Sequence, residues 1–153
     1  MEENVKTYRS FEDLDVYKAA RDLRRRFYQV AKSLPESEKF NLNLQIRRAA
    51  VSLTNNLAEG HGRFHYTDNI RFVLISRGSL EELMDDLNIC EDEGYATPSQ
   101  LAPLRTDCAS LMRQLNGYIR YLRESKAGAS LGLREETIPY RLDNGDTVLE
   151  DLA

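Results

Sequence analysis

The sequence has no tryptophan, only two cysteines and four prolines, and no long hydrophobic run. A membrane-spanning helix needs roughly 20 consecutive apolar residues, so the chain is not expected to span a membrane. The first four residues, Met1-Glu2-Glu3-Asn4, are acidic and polar, unlike the start of a signal peptide. We therefore expect a cytoplasmic protein in which both thiols stay reduced.

Charge is distributed unevenly along the chain. Residues 1–80 contain 14 Lys and Arg against 10 Asp and Glu, whereas residues 81–153 contain 7 against 15, for a net charge of −4 overall. The basic half can offer a local surface to an anion. The acidic total disfavours a strong nucleic-acid binder, because it repels nucleic acid at long range.

The common motifs of catalysis and of cofactor binding are missing. The sequence has no Gly-x-Ser-x-Gly nucleophile motif and neither of the glycine-rich phosphate motifs. No Glu precedes His61 or His65 by three residues, as di-iron bundles require. A zinc site would have to combine these histidines with Cys90 and Cys108, which lack the close paired spacing of structural zinc sites. We predict no catalytic residue, metal or cofactor, and thus a protein that is not an enzyme.

Four segments with apolar residues three and four apart predict an all-α fold. The first helix runs from about Leu14 to Leu34, and the third from about Tyr66 to Glu93. The second begins with Asn43 as its N-cap and ends at Gly60 in the left-handed conformation. The fourth starts at a capping box in Thr97-Pro98-Ser99-Gln100. Short connections favour an antiparallel up-down-up-down four-helix bundle.

The expected organisation is an N-terminal arm (1–12), the bundle (13–125), and a linker with a flexible, acidic C-terminal tail (126–153). Asn144-Gly145 in that tail is a hairpin signal, with disorder as the alternative. Two helix breakers leave open questions. Gly78 indicates either a close crossing with another helix or a tolerated defect. Pro103 indicates either a kink in the fourth helix or its true start.

The second helix presents two distinct faces. One is apolar, with Ile46, Ala49, Ala50, Leu53 and Leu57 at helical spacing. The other mixes guanidinium, hydroxyl, amide and carboxylate groups, a set suited to a hydrogen-bond network between helices or subunits. The alternative is an ordinary solvated face. The residues predicted to form this network are Arg48, Ser52, Asn55, Asn56, Glu59, Arg77 and Glu82.

A second set of residues suits RNA. Basic side chains near the aromatic residues Phe64 and Tyr66 are compatible with phosphate contacts and base stacking in single-stranded RNA. The alternative is solubilising Arg in intramolecular ion pairs. The candidate residues are Arg21, Arg25, Arg47, Arg63 and Arg71.

Six segments of the sequence are distinctive as a set: Phe11–Tyr17, Gln45–Gly60, Gly62-Arg63, Arg77–Leu83, Gly94-Tyr95 and Leu115–Gly117. Together they resemble a family of bacterial four-helix-bundle proteins encoded in intervening sequences of large-subunit ribosomal RNA genes. The resemblance covers about residues 10–125, with Tyr17 where the family usually has Trp. It implies a ring-shaped homo-oligomer, a pentamer, without established catalytic activity, related to RNA-binding accessory proteins of diversity-generating retroelements.

These observations favour a non-enzymatic, self-associating scaffold or adaptor that binds a protein partner. One alternative is an RNA-binding accessory protein that acts with a reverse transcriptase or with ribosomal RNA. The other is a carrier whose C-terminal tail docks on a protein partner or is presented to a modifying enzyme.

Overall fold

Four α-helices joined by short connections make up the computed structural model, which describes residues 10–130 and side chains as far as Lys126. The helices, named α1 to α4 in chain order, are Asp15–Ser33, Leu42–His61, Tyr66–Asp92 and Pro98–Ser130. Helix α2 packs on α1 and α3, α3 packs on α4, and α4 packs on α1. The predicted all-α four-helix fold is thus confirmed. The predicted hairpin and residues 131–153 of the predicted tail lie outside the described residues.

The apolar stripes predicted from helical spacing meet in one core. Leu23 and Phe27 of α1 are buried there with Leu53 of α2 and Leu80 of α3. Leu115 and Tyr118 of α4 complete the core. No helix among residues 10–130 is long and apolar enough to cross a membrane.

The start of α2 differs from the prediction. The N-cap is Asn41 rather than Asn43, and the backbone N–H of Leu42 donates to the Glu38 carboxylate at 3.0 Å. The Asn43 side chain instead donates to the carbonyl of Ala31 at 2.7 Å. Asn43 therefore ties α2 to the last turn of α1, a role that local capping rules do not reveal.

The end of α2 also corrects the prediction for Gly60. The helix continues to His61, Gly62 is its C-cap in a right-handed conformation, and Gly60 is buried within the helix. A Cβ at Gly60 would lie 2.7 Å from Oδ1 of Asn69 and 2.9 Å from Cβ of Phe72. Gly60 is needed because α3 approaches the α2 backbone, not because the chain turns there.

The capping box of α4 is confirmed. The N–H of Gln100 donates to Oγ1 of Thr97 at 3.2 Å, and the Thr97 N–H donates to Oε1 of Gln100 at 2.8 Å. Pro103 lies inside α4 on its exposed side, so it does not mark the start of the helix. The helix continues to Ser130, five residues beyond the predicted end of the bundle.

Replacing Gly60 by Ala should destabilise the fold, because its methyl group has no room between α2 and α3. Overpacking of this kind costs about 1–3 kcal/mol. Urea denaturation followed by circular dichroism measures the loss. Gly62→Ala is the matched control, because a Cβ there has only ordinary contacts, the nearest at 3.5 Å. Equal stability of the two variants would contradict the close approach.

Candidate functional site

Small hydroxyl and amide side chains hold α2 against α3. The hydroxyls of Ser52 and Ser79 are hydrogen-bonded at 2.7 Å. The Asn56 amide donates to the carbonyl and the hydroxyl of Ser52, at 2.8 and 2.9 Å. The buried Ser76 hydroxyl donates to the carbonyl of Leu53. We call this set the α2–α3 seam. It places Ser52 of the predicted network between two helices of one chain, and Asn56 supports Ser52 from within α2.

The other residues of the predicted network take no part in the hydrogen bonds of the seam. Glu59 pairs with Arg63 in the next turn of the chain at 2.6 Å. The Arg77 guanidinium donates to Oδ1 of Asn116 at 2.9 Å and so joins α3 to α4. The remaining three are exposed and make no hydrogen bond or ion pair within residues 10–130: Arg48, Asn55 and Glu82. Within the described residues, the predicted set therefore does not form one continuous hydrogen-bond network.

Beside the seam, α3 exposes an apolar surface. Leu74 is 40% exposed and Ile75 is 51% exposed, one turn before the exposed Gly78. A Cβ at Gly78 would meet nothing within 4 Å, so no other helix of the described chain crosses there. We call Leu74, Ile75 and Gly78 the α3 stripe. It lies next to the seam because Ile75 is one turn before Ser79, whose hydroxyl also donates to the Ile75 carbonyl at 3.2 Å.

A basic groove runs between α1 and α2. One lobe is lined by Arg24, Arg25, Tyr28, Gln29, Lys32 and Val51. The other shares Tyr28 and Val51 and is lined further by Arg47, Arg48, Ser52, Asn55 and Asn56. The two lobes, of about 470 and 530 Å³, form what we call the α1–α2 groove.

Two of the five cations of the groove are positioned by groups other than carboxylates. Arg24 donates to the Thr54 hydroxyl at 3.0 Å, and the guanidinium carbon of Arg47 lies 5.4 Å from the centre of the Tyr28 ring. The buried Nε of Arg47 has no hydrogen-bond partner. Five cations line the groove, and no ion pair within 4.0 Å joins any of them to a carboxylate of residues 10–130. The groove thus carries a concentrated, uncompensated positive charge.

The structure separates the arginines predicted to contact RNA. Arg25 and Arg47 line the α1–α2 groove. Arg63 pairs with Glu59 and lies 4.7 Å from the centre of the Phe72 ring. Arg21 and Arg71 are exposed on α1 and α3 and line neither lobe. The predicted RNA-binding set did not include Arg24 and Lys32, and Arg48 was assigned to the polar network instead. Which cations of α1 lie beside those of α2 depends on how the two helices cross, and the sequence alone does not show this.

A family profile described as 23S rRNA-intervening sequence protein matches residues 12–117. This is more than half of the chain. The chain belongs to this family. No curated protein gave a significant match. The residues that carry the resemblance in the sequence lie in this range, apart from Phe11.

The family match covers every residue of the seam, the α3 stripe and the groove. It ends at Gly117, inside α4, so the last turns of that helix and residues 131–153 lie outside it. The bundle surfaces therefore belong to the part of this chain that is shared with the 23S rRNA-intervening sequence proteins.

The two thiols lie in the core of this family member. Burial raises the pKa of Cys108 to about 11, and burial, followed by the nearby charge of Asp86, raises the pKa of Cys90. Neither thiol is therefore a ready source of thiolate. His65 begins α3 and Cys90 lies near its end, about 37 Å apart at 1.5 Å per residue. Within residues 10–130 no group of three or more His, Cys, Asp and Glu is placed to hold a metal ion.

Asp86 is a buried carboxyl group with an unsatisfied oxygen. The residue is 2% exposed, and its Oδ2 has no hydrogen-bond partner. Burial, followed by the charges of Glu82 and Asp85, raises the pKa of Asp86 from 3.8 to about 6. The folded state therefore binds this proton more tightly than the unfolded state. The stabilisation that comes from protonated Asp86 is present at low pH and is lost as the pH rises through 6.

Asp86→Asn should make the protein more stable at pH 8 and have little effect below pH 4. A shift of about two pKa units corresponds to a difference of about 2–3 kcal/mol. Urea denaturation at a series of pH values measures it. Asp92→Asn, which removes the same charge at the exposed end of α3, is the control. If the two variants show the same pH profile, the raised pKa of Asp86 is wrong.

Proposed function

We propose that this protein is a non-enzymatic accessory module that self-associates through the outer surface of α2 and α3. The proposal rests on one observation: Ile75 and Gly78 lie exposed in the middle of a helix, directly beside the seam. An interface excludes water from apolar side chains, and a glycine lets a neighbouring backbone come close. The family resemblance leads us to expect five copies in a closed ring.

The polar residues of α2 fit the rim of such an interface. Arg48, Asn55 and Glu82 are exposed and make no hydrogen bond or ion pair within the described residues, and they flank the seam. Hydrogen-bonding groups around an apolar centre give register and specificity to an interface between subunits. A second copy with the same surface would supply partners for them.

Support for a non-enzymatic role comes from where the perturbed groups lie. Asp86, Cys90 and Cys108 have raised pKa values and are at most 2% exposed, so a substrate would not reach them. Tyr95 also has a raised pKa, caused first by burial and then by its hydrogen bond to Glu38. These shifts come from packing rather than from a cleft that gathers reactive groups.

Ile75→Glu should lower the mass of the assembly, because a carboxylate replaces an apolar side chain at the centre of the proposed interface. Light scattering of the unaltered chain should give about 88 kDa for five copies of 17.6 kDa each. The variant should approach the mass of one copy and keep its helical circular dichroism. Ala102→Glu, an equivalent change at an exposed position of α4, should leave the mass unchanged.

Gly78→Ala gives an independent readout of the same proposal. In a single chain it should stabilise α3 by about 0.5–1 kcal/mol, since an exposed helical glycine is less favourable than alanine. In an assembly whose helices meet at Gly78, the added methyl group should promote dissociation on dilution. A chain that is monomeric at every concentration, with Gly78→Ala simply more stable, would contradict self-association.

RNA binding is the second candidate, and the α1–α2 groove favours it. Five cations around Tyr28 offer phosphate contacts beside a ring on which a base can stack. If all five contact phosphates of single-stranded RNA, the logarithm of affinity should fall with the logarithm of salt concentration with a slope of about −3.5. Fluorescence anisotropy with a labelled oligonucleotide measures this slope.

Arg25→Gln should reduce the magnitude of that slope by about 0.7, the contribution of one phosphate contact. Arg113→Gln removes the same charge from an exposed position of α4 and serves as its control. No binding of the unaltered chain at low salt, or equal effects of the two variants, would exclude the groove as an RNA site.

A further inference from the structure

We propose that residues 142–151 of this same chain occupy the α1–α2 groove. The groove suits an anionic segment, and the sequence beyond α4 includes an acidic one. The groove is centred on Tyr28 rather than on the α3 stripe, although Arg48 and Asn55 border both the groove and the proposed interface. The contact is made within one chain and does not require self-association.

Charge complementarity is the first support. Residues 10–130 contain 17 Lys and Arg and 17 Asp and Glu, so their net charge is zero, yet the groove gathers five cations and no carboxylate. Residues 142–151 contain four carboxylates and no cation. Residues 142–151 therefore carry the highest density of uncompensated negative charge beyond α4. This charge is opposite in sign to that of the groove.

The side chains of the groove suit carboxylates. Arg24 is held by Thr54, and Arg47 is held over Tyr28, so these guanidinium groups are already positioned. Guanidinium groups bind carboxylates through two parallel hydrogen bonds, and a positioned donor loses less entropy in doing so. Apolar contacts are available as well, because Val51 and Tyr28 line both lobes and the segment includes Val148 and Leu149.

The chain is long enough for this contact. The Tyr118 hydroxyl accepts from Asn69 at 3.3 Å, and Asn69 also faces Gly60, so these three residues mark one level of the bundle. At 1.5 Å per residue, Ser130 lies about 18 Å beyond that level and Arg48 about 18 Å on the other side. A span of about 40 Å, which allows for the width of the bundle, takes about 12 extended residues.

The distance from the end of α4 to the groove determines which carboxylates can reach the groove. Leu142 is the twelfth residue after Ser130, so Asp143 and the acidic residues that follow it reach the groove. Glu135 and Glu136 are too close to α4. A tether of this kind also supplies a local concentration in the millimolar range, so even weak contacts keep the segment bound.

Quenching of a fluorophore by tryptophan tests the contact in the full chain, which has no tryptophan of its own. Thr147→Cys places a bimane label in the segment without changing its charge, and Cys90 and Cys108 are buried with raised pKa values and so resist labelling. Gln29→Trp places the quencher in the groove, and Ala102→Trp is the matched control on α4. If the dissociation constant of the segment for the groove is close to its millimolar local concentration, about half of the segments are bound. The label should then lose about half of its fluorescence with Gln29→Trp and none with Ala102→Trp.

Two further measurements identify the cause of the quenching. It should disappear at about 1 M salt, where the screening length falls to about 3 Å. It should also disappear in the double variant Arg25→Gln and Arg48→Gln, which lowers the positive charge of both lobes. Arg113→Gln with Arg123→Gln, exposed positions of α4, is the control and should leave the quenching intact.

Equal fluorescence with Gln29→Trp and Ala102→Trp would overturn the proposal and leave the groove to an external anion such as RNA. Quenching that survives both high salt and the double groove variant would also overturn it. Mixing labelled chains that lack tryptophan with unlabelled Gln29→Trp chains tests whether the segment binds the groove of its own chain or that of another copy. Quenching only in such mixtures would show that the segment comes from another copy and would overturn the assignment to the same chain.

Discussion

The close approach of α2 to α3 is the constraint on which the other surfaces depend. It needs a glycine at position 60, where a side chain would collide with Asn69 and Phe72. It also needs small hydroxyl residues along the seam, because Ser52 and Ser79 meet directly and Ser76 reaches the α2 backbone. Buried polar groups are costly unless they are paired. The seam pairs them, and it thereby fixes how α2 is rotated about its axis.

The rotation of α2 about its axis determines which of its residues face α1 and which face α3. On the flank towards α1, Arg47 and Arg48 come to lie beside Arg24 and Arg25 across Tyr28 and form the groove. On the flank towards α3, the seam continues into the α3 stripe with Ile75 and Gly78. One packing arrangement therefore produces a basic surface and an apolar surface on either side of α2. A change that shifted the seam would alter both surfaces together.

Helical periodicity was enough to predict the four helices, because the core residues recur at regular spacing in each. It was not enough for Asn43 and Gly60, whose local patterns resemble caps but whose roles depend on a neighbouring helix. Asn43 binds the last turn of α1, and Gly60 accommodates α3. The groove was only partly predictable for a similar reason. Consecutive arginines point around a helix, and only the packing of α1 on α2 determines which of them converge.

Net charge is a poor guide to what this chain can bind. The net charge of −4 repels an anionic partner only at long range, where all the charges of the chain act together. At physiological salt the screening length is about 8 Å, so a ligand in the groove responds mainly to the cations that line it. No carboxylate of residues 10–130 lies within 4.0 Å of those cations, whereas the acidic residues that set the total lie largely elsewhere. If the acidic segment beyond α4 occupies the groove, as we propose, it competes with any other anion for the same five cations.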